Sequence, residues 1–163
     1  MDFISHGLYG GIAFGRRSKR QYLTAFIFGM IPDLLSFGPF FIMSFLGITK
    51  RLSFSSGPPS PALIPTYVHV LYNITHSLVI AFLIIGIASL VFGRRIWPLG
   101  AWPLHVLMDI PTHTSAFFPT PFLWPISNFT FSGISWASPI VFIPNVLVLV
   151  TLYFVFFLTR HTT

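Results

Sequence analysis

Apolar residues fall in long blocks along this chain, separated by short basic, Pro-rich or Ser-rich stretches. The first block, residues 2–15, is too short for a full membrane span, which needs about 20 residues. Its glycines, Gly7, Gly10, Gly11 and Gly15, suit close packing against a neighbouring helix. Residues 22–46 are long enough to cross, with an interruption expected at Ile31-Pro32-Asp33, where Pro32 would start a new helical segment bearing Asp33 near its N-terminus. Residues 47–66 carry Ser, Pro and Gly and read as a loop. The blocks 67–92, 97–118 and 136–158 complete the predicted spans. Between the last two, residues 119–135 combine three prolines with Phe122, Trp124, Phe129 and Phe131, the mark of an aromatic interfacial loop. The expectation is an all-α, polytopic membrane helix bundle with four full spans and a short N-terminal intramembrane helix, forming a single membrane-embedded domain over 1–163.

Composition supports that class. Of the 163 residues, 54% are hydrophobic and 7% charged, against about 25% charged in a soluble domain, and mean hydropathy is +0.81. The net charge of +6 does not form a nucleic-acid-binding face, because the basic residues sit at the ends of apolar runs. Arg16, Arg17, Lys19, Arg20, Arg94, Arg95 and Arg160 fall on one side and Lys50 and Arg51 on the other. The positive-inside rule makes the first side, with the C-terminus, cytoplasmic. Basic residues follow the first apolar block instead of preceding it, so residues 1–15 do not read as a secretory signal. Cysteine is absent, which removes disulfides and thiolate metal sites.

Only three side-chain carboxylates exist: Asp2, Asp33 and Asp109. Asp2 reads as a terminal or capping residue; the other two are deep in apolar blocks, where an unpaired charge is costly. No lysine or arginine lies in any predicted span. Asp33 and Asp109 are therefore either protonated or face a metal ion. His105 and Asp109 stand four residues apart, with Thr112 and His113 on the next turn, so at helical period all four project from one side. Depth brings in further partners. At 1.5 Å per residue, His6 lies about 15 Å from Arg16, Asp33 about 17 Å beyond Tyr22, and His105 and Asp109 about 12 and 18 Å above Trp97. His76, descending from Tyr67, is about 14 Å down. Five residues thus reach the middle of a roughly 30 Å core. Imidazole and carboxylate together suit Zn²⁺, Mn²⁺ or Fe²⁺, and one divalent cation with two aspartates sums to zero charge. Tyr72 and Asn73 share a stripe with His76 and are candidates to orient it. His69, nearer the surface, and His113 are candidate neighbours of the site; His161 is a tail residue. Asn73-Ile74-Thr75 and Asn128-Phe129-Thr130 match the glycosylation pattern, but the first is intramembrane and neither is read as a modification site.

The order His6-x-x-x-Gly10, Pro32-Asp33, Thr75-His76-Ser77 and His105-x-x-x-Asp109, with Pro125-Ile126-Ser127 downstream, resembles the membrane-bound metal-dependent hydrolase family of YdjM-like proteins over roughly residues 1–130. The resemblance implies a prokaryotic inner-membrane helical protein with a hydrolase site, distantly similar to zinc-dependent phospholipase C, and His6, Asp33, His76, His105 and Asp109 as metal ligands. Two positions depart from the family pattern: Leu35 replaces the second acid of Pro-Asp-x-Asp, and Leu71, Tyr72 and Asn73 replace His-Arg-Gly. The reading that follows is an intramembrane hydrolase in which a metal-activated water attacks an ester or phosphodiester of a lipid or lipid-linked substrate, with Asp109 or His113 as general base. The alternatives are a carrier or channel for metal ions or protons, and a scaffold with a vestigial site.

Overall fold

A computed structural model describes residues 1–49, 52 and 59–160. The Lys50-Arg51 pair and His161 lie outside the described residues. Seven α-helices and two short 3₁₀ turns account for the regular structure among the described residues, with no strand. The helices are α1 (Phe3–Phe14), α2 (Lys19–Ser36), α3 (Gly38–Phe45), α4 (Thr66–Thr75), α5 (Leu78–Val91), α6 (Ala101–Thr112) and α7 (Pro139–Arg160). The all-α expectation holds, and so does the short N-terminal helix.

Both interruptions in the first two spans differ from expectation. Pro32 sits inside α2, which continues to Ser36, so Asp33 is in the last turn of that helix and not at the start of a new one. The chain bends instead by 61° between α2 and α3, at Phe37, where Pro39 in the first turn of α3 lacks the N–H that a continuing helix requires. The 67–92 block is broken too: α4 and α5 meet at 60°. His76 closes α4 through its N–H on the Tyr72 carbonyl, and Ser77 caps α5 by accepting from Ile80 N. The expected span at 97–118 is a 12-residue α6 preceded by the 3₁₀ turn Trp97–Gly100. At about 18 Å it is too short to cross alone. Pro139–Leu158 in α7 is long and apolar enough to cross a membrane, and each bent pair passes the same test when its helices are taken together.

Helices α1, α2 and α6 pack against one another at the centre. Close approach of α1 and α2 depends on Gly29, where a β-carbon would lie 2.5 Å from the His6 carbonyl oxygen. Helix α7 is held on α1 by polar contacts: Asn145 Nδ2 donates to Ser5 Oγ at 2.9 Å, and Tyr153 Oη to the Leu8 carbonyl at 3.1 Å. Asp2 caps α1, accepting from Ser5 N at 2.9 Å. An apolar cluster of Phe40, Ile64, Val68, Tyr72 and Phe118 packs beside α4; a second, Ala81, Trp102 and Val106, packs between α5 and α6. The 113–138 segment folds back on the end of α6, whose last carbonyls lack helical partners. Gly133 N bonds the His113 carbonyl at 2.8 Å, Ile134 N that of Pro111 at 3.0 Å and Trp136 N that of Thr112 at 2.9 Å. The same segment is pinned to the α4–α5 break by Leu78 N on the Phe122 carbonyl at 3.0 Å and by Ser77 Oγ on that of Trp124. Large apolar side chains remain exposed on α5 and α7, among them Phe82, Leu83, Leu90, Ile140, Leu147 and Phe154.

Candidate metal centre

Four side chains meet where α2, α6 and the α4–α5 break come together. Asp33, His76, His105 and Asp109 each offer one ligand atom, and these atoms lie within 4.8 Å of one another. His76, His105 and Asp109 are fully buried; the Asp33 side chain keeps 19% of its surface exposed, so the cluster opens on its side.

Helix α6 supplies the fixed half. One turn apart, His105 Nε2 and Asp109 Oδ2 are separated by 3.1 Å. The His105 Nδ1–H donates to the Gly29 carbonyl at 2.7 Å, so the neutral ring presents a lone pair at Nε2. His76 comes from the break. Its Nδ1 faces the Tyr72 carbonyl at 3.3 Å and Thr75 Oγ1 at 3.0 Å, and its ring stacks on Tyr72 with centroids 3.8 Å apart. With Nδ1–H directed at that carbonyl, the His76 Nε2 lone pair points inward. It lies 3.1 Å from His105 Nε2, 3.4 Å from Asp33 Oδ1 and 3.5 Å from Asp109 Oδ2. Trp102 Nε1 holds the two halves in register by donating to the Thr75 carbonyl at 2.6 Å.

Two imidazole lone pairs and two carboxylates therefore face one point, and Asp109 Oδ2 is buried there without a hydrogen bond. Four converging acceptors repel unless a cation lies between them. In metal sites the outer nitrogen of a ligating histidine usually donates to a carbonyl or carboxylate, which fixes tautomer and ring orientation. Both histidines here have that arrangement. The donor set of two nitrogens and two oxygens fits a divalent cation, whose charge two aspartates balance.

Of the five ligands expected, four share the centre. His6 stands behind it: Nε2 lies 2.9 Å from Asp109 Oδ1 and the ring stacks on His105 at 3.7 Å. The Met1 amine also reaches Asp109 Oδ1, and lies 3.3 Å from both Thr112 Oγ1 and His113 Nε2. His113 ends α6 with Nε2 3.4 Å from Asp109 Oδ1 and Nδ1–H donating to the Phe118 carbonyl at 2.8 Å. Thr112 stays on the same side, as the helical spacing predicts. Tyr72 orients His76 as expected, whereas its neighbour Asn73 lines a separate cavity. His69 is not in the cluster; it stacks on Phe118 and bonds the Pro61 carbonyl. Sequence reading missed the Gly29 carbonyl and the Trp102 donor. The first has a faint signal, a glycine one turn before Pro32-Asp33; the second has none, since an indole in an apolar block reads as packing.

Comparison with family models, with curated proteins and with solved structures finds no match.

Proposed function

We propose that the chain is a membrane-embedded, metal-dependent hydrolase acting on an ester or phosphodiester of a lipid or lipid-linked substrate. One observation carries the reading: two histidines, each with its outer nitrogen directed at a backbone carbonyl, present their inner lone pairs to two buried carboxylates. Zn²⁺ is the proposed ion, with Mn²⁺ and Fe²⁺ compatible with the same donors. Asp33, His76, His105 and Asp109 would hold it, while His6 supports Asp109 from behind. When bound, a divalent cation of this kind polarises a carbonyl or phosphoryl oxygen and lowers the pKa of a coordinated water. The chain contributes the rest. His113, with Nδ1–H committed to the Phe118 carbonyl, offers Nε2 as a base beside Asp109. The partly exposed Asp33 marks the side from which substrate reaches the centre.

The motif order that resembles YdjM-like membrane hydrolases favours hydrolysis over ion passage. So does the confinement of the polar cluster to a single locus, where a conduction path needs a line of such groups. In this reading α2–α3, α4–α5 and α7 cross the bilayer, while α1 and α6 lie within it as short helices. The segments 16–21 and 93–96 and the C-terminus face the cytoplasm of a prokaryotic inner membrane.

The test is metal content together with turnover in lipid nanodiscs. Wild type is expected to bind about one equivalent of divalent metal, and His105→Ala and Asp109→Asn less than a tenth of that. Labelled phospholipids or lipid-linked esters should be cleaved by wild type alone. Full metal retention in both variants would refute the ligand assignment. Equal cleavage by wild type and Asp109→Asn, or metal flux into liposomes without cleavage, would remove the hydrolase.

A further inference from the structure

Beside the metal centre, with Tyr72 in its wall, is a cavity of about 300 Å³ lined by the 113–138 segment, α4 and the turn before α4. We propose that it holds an uncharged, hydroxyl-rich group, the glycosyl head of a lipid. Tyr72 is shared by both sites: it lines this cavity and stacks on His76. The volume is at the lower end of the range for ligand pockets and suits one ring-sized group.

The lining selects the chemistry. No lysine, arginine, aspartate or glutamate lines the cavity among the described residues, so it has no charged partner for a phosphate or an ammonium. It offers instead the side-chain amides of Asn73 and Asn128 and the hydroxyl of Thr130. None of the three makes a side-chain hydrogen bond within the described residues. Each asparagine presents two donors and an acceptor, and threonine one of each kind. His69 Nε2–H is committed to the Pro61 carbonyl at 3.2 Å, which leaves Nδ1 as an acceptor. Such a mixture is matched by groups that both donate and accept, as hydroxyls do. Phosphate and carboxylate oxygens only accept and would leave half of it unanswered. Trp124 adds an aromatic ring to the lining, a partner suited to the C–H face of a sugar. The same segments expose Leu63, Val70, Ile126 and Phe129 at 62, 50, 78 and 60%, a surface for acyl chains next to a polar pocket.

The proposal rests on the membrane hydrolase reading only for why such a head group lies next to a metal centre, and its test separates the two. Full-length protein in a sugar-free detergent would be titrated calorimetrically with monoglucosyldiacylglycerol, diacylglycerol, phosphatidylglycerol and free glucose. The glucosyl lipid should bind at least tenfold more tightly than diacylglycerol or phosphatidylglycerol. Asn73→Leu, Asn128→Ala and Trp124→Leu should each weaken it about tenfold, the order expected for a lost hydrogen bond or ring contact. Asn128 is exposed, so its variant keeps the test independent of folding. Chelation and Asp109→Asn should change this affinity less than threefold. Free glucose binding as tightly as the glucosyl lipid would support the glycosyl pocket and place its ligand in solution. Equal affinity for diacylglycerol and the glucosyl lipid would overturn the proposal. So would binding lost on chelation but unchanged in the three pocket variants, which would move the ligand to the metal centre and leave the hydrolase reading intact. Glycolipid binding in a protein that holds no metal and cleaves nothing would support the pocket while removing the hydrolase.

Discussion

The metal centre depends on atoms that hold ligands rather than on the ligands alone. Trp102 is not one of the four ligands, yet its N–H on the Thr75 carbonyl sets where His76 stands relative to α6. Trp102→Phe keeps the packing and strands that carbonyl in a buried place. The expected cost is about 1–3 kcal/mol of stability, read as a lower midpoint in thermal melts, with metal affinity lowered at least several-fold. Unchanged metal affinity would mean that His76 is placed by other contacts. Tyr72 acts on His76 through its ring face. Tyr72→Phe, which keeps the ring and removes only the hydroxyl with its contacts to the Phe118 carbonyl and His113 Nδ1, should retain metal better than Tyr72→Leu. Equal loss in both would assign the effect to the hydroxyl.

At the scale of elements, the centre exists because short or broken helices meet where continuous ones would pass by. The α4–α5 break turns His76 inward, and the Gly29 site lets α1 and α2 touch while its carbonyl accepts from His105. Gly29→Ala would place a methyl 2.5 Å from the His6 carbonyl oxygen. Backbone cannot move aside cheaply, so the variant should lose about 1–3 kcal/mol and metal with it. Gly86, in the middle of α5, has nothing within 4 Å of such a methyl. Gly86→Ala should leave metal content unchanged and raise stability by up to about 1 kcal/mol through helix propensity. If the two variants melt alike, the α1–α2 crossing does not constrain the site.

For the whole molecule, the proposed topology rests on its exposed apolar side chains and on the basic residues at the ends of its apolar blocks. The absence of cysteine makes this measurable without a background. In right-side-out vesicles, a cysteine at Ser18 should resist a membrane-impermeant maleimide, and one at Ala62 should react. Labelling of both from the same side would contradict the proposed topology.

Helical class, the approximate place of each apolar block and four of the five expected ligands were legible from the amino-acid order, because runs of apolar residues set block length and a buried acid without a lysine or arginine nearby demands a counter-charge. Depth counting along helices brought Asp33, His76, His105 and Asp109 to one level even though two of the assumed spans are broken, since rise per residue survives a bend placed near the level itself. Orientation around each axis and contact between elements were decided only in three dimensions. Whether the first span breaks at Pro32 or just before Pro39 depends on what packs against each turn, and local propensity cannot tell them apart. The standing of His6 behind Asp109, of His69 on Phe118 and of Asn73 in the neighbouring cavity follows from crossing angles set by a glycine contact and a folded-back loop. Those are long-range packing choices, and neither periodicity nor composition encodes them.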